Sequence, residues 1–305
     1  MGNRIRHSKF ESYEASPQDR DRTLQDIVRE IRGEEYTPAA NFVVIPGHGE
    51  SNGRRTEVLS SIVLAYPPDD WDCIIFVYNN ITIGTGRRFG HCIVAYRPGR
   101  WTHFMKLVTP EFVRANNYSY VSVHLNDVQW QQDFNISKYL QAMRKAGLAV
   151  SSPAVLGSPY LVMRPAMIND KKGVPTLRVP RSVIGWKTHF LEIQVTIFNS
   201  SAWSCFWNVV NPDLDPFGWG PGICFYNVCG QPPTGILPFA AVHWGGGAHL
   251  IGGTASLQQS PSGKIPGLRK HIGHYTAWLK GVTPLRNLEQ GQERCVIDGF
   301  IEEIH

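Results

Sequence analysis

None of the six cysteines stands in a C-x-x-C pair, which argues against a zinc ribbon or a thioredoxin-like redox site. No apolar run approaches 18 residues, so nothing in the sequence reads as a membrane span. A leader pattern is missing too, and Met1-Gly2 lacks the downstream Ser or Thr of a myristoylation signal, with Arg6 in its place. Charged residues are slightly sparse at 18%, and no basic cluster is interleaved with aromatics, which argues against nucleic acid as a partner. G-x-G-x-x-G, G-x-S-x-G and H-E-x-x-H are all absent, and Gly84-Thr85-Gly86 is neither a P-loop nor placed after the first strand. Dinucleotide, hydrolase-triad and zinc-protease readings therefore lose support. There is no internal repeat and no low-complexity tract.

Cys73 sits in an apolar run and is expected as a buried free thiol, and with it a reducing, cytoplasmic setting. Four N-x-S/T sequons, at Asn80, Asn117, Asn135 and Asn199, leave a secretory route open. Asn135 and Asn199 also stand at expected helix starts, where Asn is a favoured cap, and capping is the preferred reading there.

What is present describes a globular chain: 305 residues, 42% hydrophobic, with a net charge of +5 that suits a phosphate-bearing ligand. Ser16-Pro17 reads as a cap and N1 proline, followed by Leu24, Ile27, Val28 and Ile31 at helical spacing and Gly33 as a stop. The expectation is an amphipathic surface helix. Asn41 to Pro46 is an apolar strand running into Gly47-His48-Gly49, Arg54 to Ala65 has helical periodicity, and Asp72 to Tyr78 is a second buried strand. Strand, glycine loop, helix, strand is a βαβ unit, and its right-handed crossover makes the sheet parallel. The loop at His48, the strand end at Asn79 and the strand end at Asp127 should therefore share one edge.

Cys92 to Tyr96 is a further strand, and Trp101 to Asn116 is helical with a break at Pro110. Tyr118 to Val128 is β-branched and aromatic until it ends in Asn126-Asp127. Phe134 to Gly147 is a helix, His189 to Phe198 a strand, Ser200 to Val210 a short helix, and Pro212 to Pro221 a loop. Ile236 to Trp244 is a strand ending in His243, and one more helix is expected near Tyr275 to Leu279.

Open α/β sheets bind ligands at the carboxyl ends of their strands, so Asp127 is the first candidate for holding a hard cation. The competing reading is an Asp that caps its turn. His243, with three glycines after Trp244, suits a metal or a phosphate, or else a structural hydrogen bond. Asp213, Asp215 and Trp219 share one loop, which reads as a general base beside a sugar-stacking face or as a tight Asp/Pro turn. Glu192 is an acid in an apolar strand, facing solvent or lining a site.

Several of these segments together resemble one family. Tyr118 to Val128 looks like the "YDY-hydrophobic-DD" strand of the DUF707 group of glycosyltransferase-A-like proteins. Phe134 to Tyr139, then Lys145 to Ala154, is similar to that group's helix and "GLxISxPA" segment. Phe190 to Ile193, Ala202 to Trp207 and Gly218 to Gly220 resemble its "FVEI … AWRCVW … GWG" series, and Ala241 to Trp244 its late histidine strand.

The resemblance implies an α/β fold: a single Rossmann-like, glycosyltransferase-A-type domain with a mostly parallel mixed sheet flanked by helices. That domain would span residues 41–253, after an N-terminal polar segment and amphipathic helix (1–40) and before a C-terminal extension packed on it (254–305). It implies transfer of a sugar from a nucleotide-diphosphate donor to a hydroxyl of a carbohydrate or glycan acceptor. Asp127 and His243 would hold Mn²⁺ or Mg²⁺, with His48, Asn79, Asn126 and Trp219 on the donor and Asp213, Asp215 and Glu192 on the catalytic side. Two departures stand out: Asn126 replaces the paired acid, and Gly222 replaces an acid after "GWG". They motivate an inactive nucleotide- or carbohydrate-binding protein as the alternative. A metal-dependent phosphoester hydrolase using His48, Asp127 and His243 is the third reading.

Overall fold

The computed structural model describes residues 12–14, 23–33, 35–47, 54–78, 89, 91–97, 99–131, 133–156, 167–169, 175–190, 193–215, 218–243 and 301–305. In chain order the elements begin with β1 (Ser12–Glu14), α1 (Leu24–Arg32), β2 (Asn41–Gly47), α2 (Arg54–Leu64), β3 (Trp71–Val77) and β4 (Ile93–Tyr96). Next come α3 (Trp101–Leu107), α4 (Pro110–Ala115), β5 (Tyr120–His124), β6 (Val128–Trp130), α5 (Ile136–Lys145) and β7 (Val150–Leu156). Then follow β8 (Met167–Asn169), β9 (Pro175–Leu177), β10 (Gly185–Thr188), β11 (Val195–Asn199), α6 (Ser200–Val209), α7 (Trp219–Val228), β12 (Thr234–His243) and β13 (Ile301–Ile304).

Among the described residues, one mixed sheet runs in the order β1-β4-β3-β2-β5-β11-β7-β12-β10-β13, with β6 added to β12; β8 and β9 pair separately. Every residue of β2 and β3 is buried, as befits parallel strands covered on both faces. From β1 to β5 all pairs are parallel, and the order reverses between β2 and β5. Such a reversal opens a crevice at the strands' carboxyl ends. β11 is antiparallel to both β5 and β7, and β12 is parallel to β7, so β12 runs in the direction of β5. Gly47, Val77, His124 and His243 therefore end their strands at one edge.

Local chemistry sets the helix boundaries. Asn135 and Asn199 cap α5 and α6, each accepting a backbone N–H (from Lys138 at 2.9 Å and Ala202 at 2.8 Å), worth about 1 kcal/mol apiece. Thr109 and Pro110 open α4, which is why the helical stretch from Trp101 breaks there.

Five expectations need correction, the last of them at Cys73. The first helix starts at Leu24 with a capping box between Thr23 and Asp26; Ser16 and Pro17 lie outside the described residues. It is no surface appendage, since Leu24, Ile27 and Val28 join the central core. The late strand begins at Val195 instead of His189, because Thr188 and Phe190 exchange local hydrogen bonds that turn the chain. The Pro212 to Pro221 stretch is a turn followed by α7 from Trp219, entered through Gly218 at φ 84°.

Cys73 is not a free thiol: it is disulfide-bonded to Cys92. The parallel register Ile74↔Ile93 sets the preceding residues side by side. A second disulfide joins Cys205 in α6 to Cys229 after α7, Cys224 is also oxidised, and no described cysteine is free. Near the C-terminus, Ile301–Ile304 pairs antiparallel with β10, while the helix expected near Tyr275 lies outside the described residues.

Candidate functional site

β5 ends at His124 and hands over to the turn Leu125–Asp127. Two bonds close that turn: His124 Nε2–H donates to the Val128 carbonyl at 2.6 Å, and Val128 N–H donates to the Leu125 carbonyl at 3.2 Å. β6 then runs antiparallel to the end of β12 with Val128 opposite His243. β12 can serve both β10 and β6 because its register shifts between Leu237 and Ala240, around Pro238. The outcome is a carboxylate next to an imidazole: Asp127 Oδ2 lies 3.3 Å from His243 Nε2, with side chains 23% and 14% exposed. Both are shielded, yet reachable from solvent.

Their surroundings are unsatisfied in an informative way. Asp127 Oδ1 and Asn126 Nδ2 are buried atoms with no hydrogen-bond partner among the described residues. Native proteins rarely leave such atoms unpaired, so each is a position that an ordered water, an ion or a ligand would fill. A carboxylate oxygen and an imidazole nitrogen at adjoining strand ends fit a divalent cation such as Mn²⁺ or Mg²⁺. With Asp127 and His243 as its two protein ligands, such a cation would take its remaining ligands from outside the described residues.

His124 is the residue that sequence reasoning passes over. It is fully buried, and burial pulls its imidazole down to about 4, outweighing the Val128 bond and the Asp127 charge that favour the proton. It is therefore neutral at pH 7. With Nε2–H given to Val128, Nδ1 accepts from the Tyr66 hydroxyl at 2.9 Å, and Tyr66 in turn bonds Ser122 at 2.9 Å. The Tyr66 hydroxyl is itself raised well above its ordinary value by burial. Trp130 packs edge-on against His124 and stacks on Phe134, holding β6 from the far side. The signal in the sequence was a lone His inside a β-branched strand.

The second predicted cluster sits at the same edge. α6 returns from β11 to deliver the 211–215 turn beside the start of α3, where the Thr102 hydroxyl donates to the Asp215 carbonyl at 2.8 Å. Trp101 Nε1–H donates to the Ile193 carbonyl at 3.3 Å, and Leu125 N–H to the Gln194 carbonyl at 2.8 Å. A continuous chain of bonds thus links this turn to the Asp127 turn. Asp213 is exposed. Asp215 is 1% exposed and accepts the Gly218 N–H at 3.0 Å. Gly218 has to be glycine: its φ is positive, and a Cβ would lie 3.3 Å from Trp101 Cδ1. Trp219 is the first residue of α7. Gly222 lines a small apolar space with Val150, Phe198, Phe206 and Phe225. His48, Asn79 and Glu192 lie outside the described residues.

Fold and strand-end pair together define an open α/β protein whose carboxyl edge carries a carboxylate, an imidazole and an acidic turn. The chain belongs to the DUF707 family, a family described as protein of unknown function, whose model matches residues 51–237. No curated protein matches the sequence. Among solved structures it is similar to the mannosyltransferase PcManGT from Pyrobaculum calidifontis in complex with GDP-Man and Mn²⁺. The two are 13% identical over 80% of this chain and 70% of that one, with a TM-score of 0.46. It is also similar to A197 from STIV (12% identity, 67% and 84% of the chains, TM-score 0.36). TarS from S. aureus is a third such structure (10% identity, 66% and 36%, TM-score 0.37). Likenesses this distant define no residue correspondence. Among the described residues no helix is long and apolar enough to cross a membrane.

Proposed function

We propose that the protein is a metal-assisted glycosyltransferase that moves a sugar from a nucleotide-diphosphate donor to a hydroxyl of a carbohydrate acceptor. The observation that carries this reading is the Asp127–His243 pair at the carboxyl edge, with Asp127 Oδ1 buried and unpartnered among the described residues. Asp127 and His243 are the residues that would hold Mn²⁺ or Mg²⁺. When bound, the cation neutralises charge that builds on the departing diphosphate. Asn126 offers its buried amide N–H to a phosphate or ribose oxygen. His124 and Tyr66 hold the turn so that both side chains keep their aim.

On the acceptor side, Asp213 is an exposed carboxylate at the same edge and suits removal of the hydroxyl proton. Glu192 is the other acid assigned to that task. Asp215, spent on the Gly218 N–H, acts as a positioning residue for the loop that leads to Trp219. Trp219 offers a stacking face for the sugar. In this reading residues 41–253 form the transferase domain, and the C-terminal segment returns to extend its sheet at β10.

A second reading rests on Gly222, whose place among Phe198, Phe206 and Phe225 puts apolar packing where the resemblance implies an acid. On that reading the protein binds nucleotide or carbohydrate and does not transfer. Calorimetric titration with UDP and GDP, with and without Mn²⁺, tests the common site on wild type and Asp127→Ala. Manganese-dependent binding that disappears in the variant is the expected result. Binding of neither nucleotide overturns both readings for these ligands, and binding indifferent to Mn²⁺ and to Asp127 removes the metal site. Donor turnover then separates transferase from binder.

A further inference from the structure

Three of the four sequons fall among the described residues, and they are not equivalent. Asn135 and Asn199 each have a side-chain oxygen engaged as a helix cap. Asn117 has no side-chain hydrogen bond among the described residues, is exposed, and stands at φ 54° in the left-handed turn that ends α4. Its neighbour Tyr118 is buried and anchored, donating its hydroxyl to Asp72 Oδ2 at 2.8 Å. That anchor leaves Asn117 and Ser119, the two recognition residues of the sequon, both facing outward. Beside them lies an open groove of about 430 Å³ lined by Thr37, Pro38, Ala40, Asp69 and Asn116, with room for a sugar attached to the Asn117 amide.

A separate observation concerns the compartment. Cys73–Cys92 and Cys205–Cys229 are disulfides, Cys224 is oxidised, and no described cysteine is free. Disulfides persist in oxidising lumens and outside the cell, and are rare in the cytosol. The secretory lumen is also where sequons receive glycans.

We propose that Asn117 is an N-glycosylation site and that this chain matures in an oxidising secretory lumen. In the modification, Asn117 Nδ2 displaces the diphosphate of a polyisoprenyl-diphosphate oligosaccharide at C1 of its first sugar. A C–N bond forms, the C–O bond to the diphosphate breaks, and the amide nitrogen loses one proton. Asn117 precedes β5, at the amino edge of the sheet, so the glycan leaves the Asp127–His243 edge clear.

The test uses the full-length protein isolated from the cells that make it. Amidase release of N-glycans should shift its mobility, and peptide fragmentation should find Asp at position 117 after release. Ser119→Ala, which keeps Asn117 and its left-handed turn, should lose one mobility step with an unchanged melting temperature, and Ser119→Thr should retain it. Recovery of unmodified Asn117 in folded protein overturns the site. Alkylation of native Cys73 and Cys205 without prior reduction overturns the compartment.

Discussion

Asp72 and Asp127 are carboxylates of the same sheet, at opposite ends of parallel strands, and their surroundings differ completely. Asp72, near the start of β3, is 7% exposed and accepts three donors: the Tyr36 hydroxyl, the Ala39 N–H at 2.8 Å and the Tyr118 hydroxyl at 2.8 Å. Burial and the Asp72 charge together push the Tyr118 hydroxyl far above its ordinary range. Asp127, past the end of β5, has one 3.3 Å contact to His243 and one buried oxygen without a partner among the described residues. A carboxylate whose lone pairs are met by fixed donors is a structural joint. One left half-met in a shielded position is poised for something from outside. Asp72 is met by three donors, and Asp127 is half-met among the described residues.

The sharpest way to break this contrast is at Asp72. Asp72→Ala strands the buried Tyr118 hydroxyl, the half-buried Tyr36 hydroxyl and a backbone N–H, and the expected loss is about 3–5 kcal/mol of stability in urea denaturation. Manganese-dependent nucleotide affinity per folded molecule should not change; a loss there would mean the two edges are coupled.

Next in size is the pH dependence that His124 imposes. Its imidazole is held down to about 4 in the fold, against an ordinary value of 6.5, so the unfolded chain takes up the proton first as pH falls. The stability due to burying it neutral is present above pH 6.5 and is lost as pH drops toward 4, on the order of 3 kcal/mol in all. His124→Gln should flatten that part of the stability–pH curve. An unchanged slope would show that the proton uptake belongs to other groups.

The smallest effect on stability is expected at Asp127 itself. Asp127→Ala removes a poorly satisfied group, so stability should stay within about 1 kcal/mol of wild type while metal-dependent nucleotide binding falls by more than the about 10–100-fold seen for outer-shell partners. A variant that unfolds instead would make Asp127 a joint like Asp72.

Much of the architecture was legible because apolar runs and their breaks are local. Asn41–Gly47, Arg54–Leu64 and Trp71–Val77 announce a βαβ unit, Asn135 and Asn199 mark helix starts by the chemistry of their own side chains, and Pro110 marks a helix break. Strand direction alone sent the strand ends at Asn79 and Asp127 to one edge, and only the family resemblance set His243 beside Asp127. Register was not legible. Whether Cys73 meets Cys92, and whether Asp127 meets His243, depends on which residue of one strand faces which of another, and no single segment encodes that. For the same reason Asp213 and Asp215 looked alike in one short loop, although one faces solvent and the other is buried against Gly218.

The strand order also bears on how the protein can be cut. The span shared with the family, residues 51–237, leaves out β2, which lies between β3 and β5, and the end of β12, which carries His243. A version trimmed to that span would keep Asp127 but lose the strand against which it is registered. It would also bare the flanks of β3, β5 and β10, long runs of open backbone groups that invite other copies to dock edge to edge. Expression trials begun from the family limits should give aggregates, whereas versions reaching from Asn41 through Ile304 keep those flanks covered.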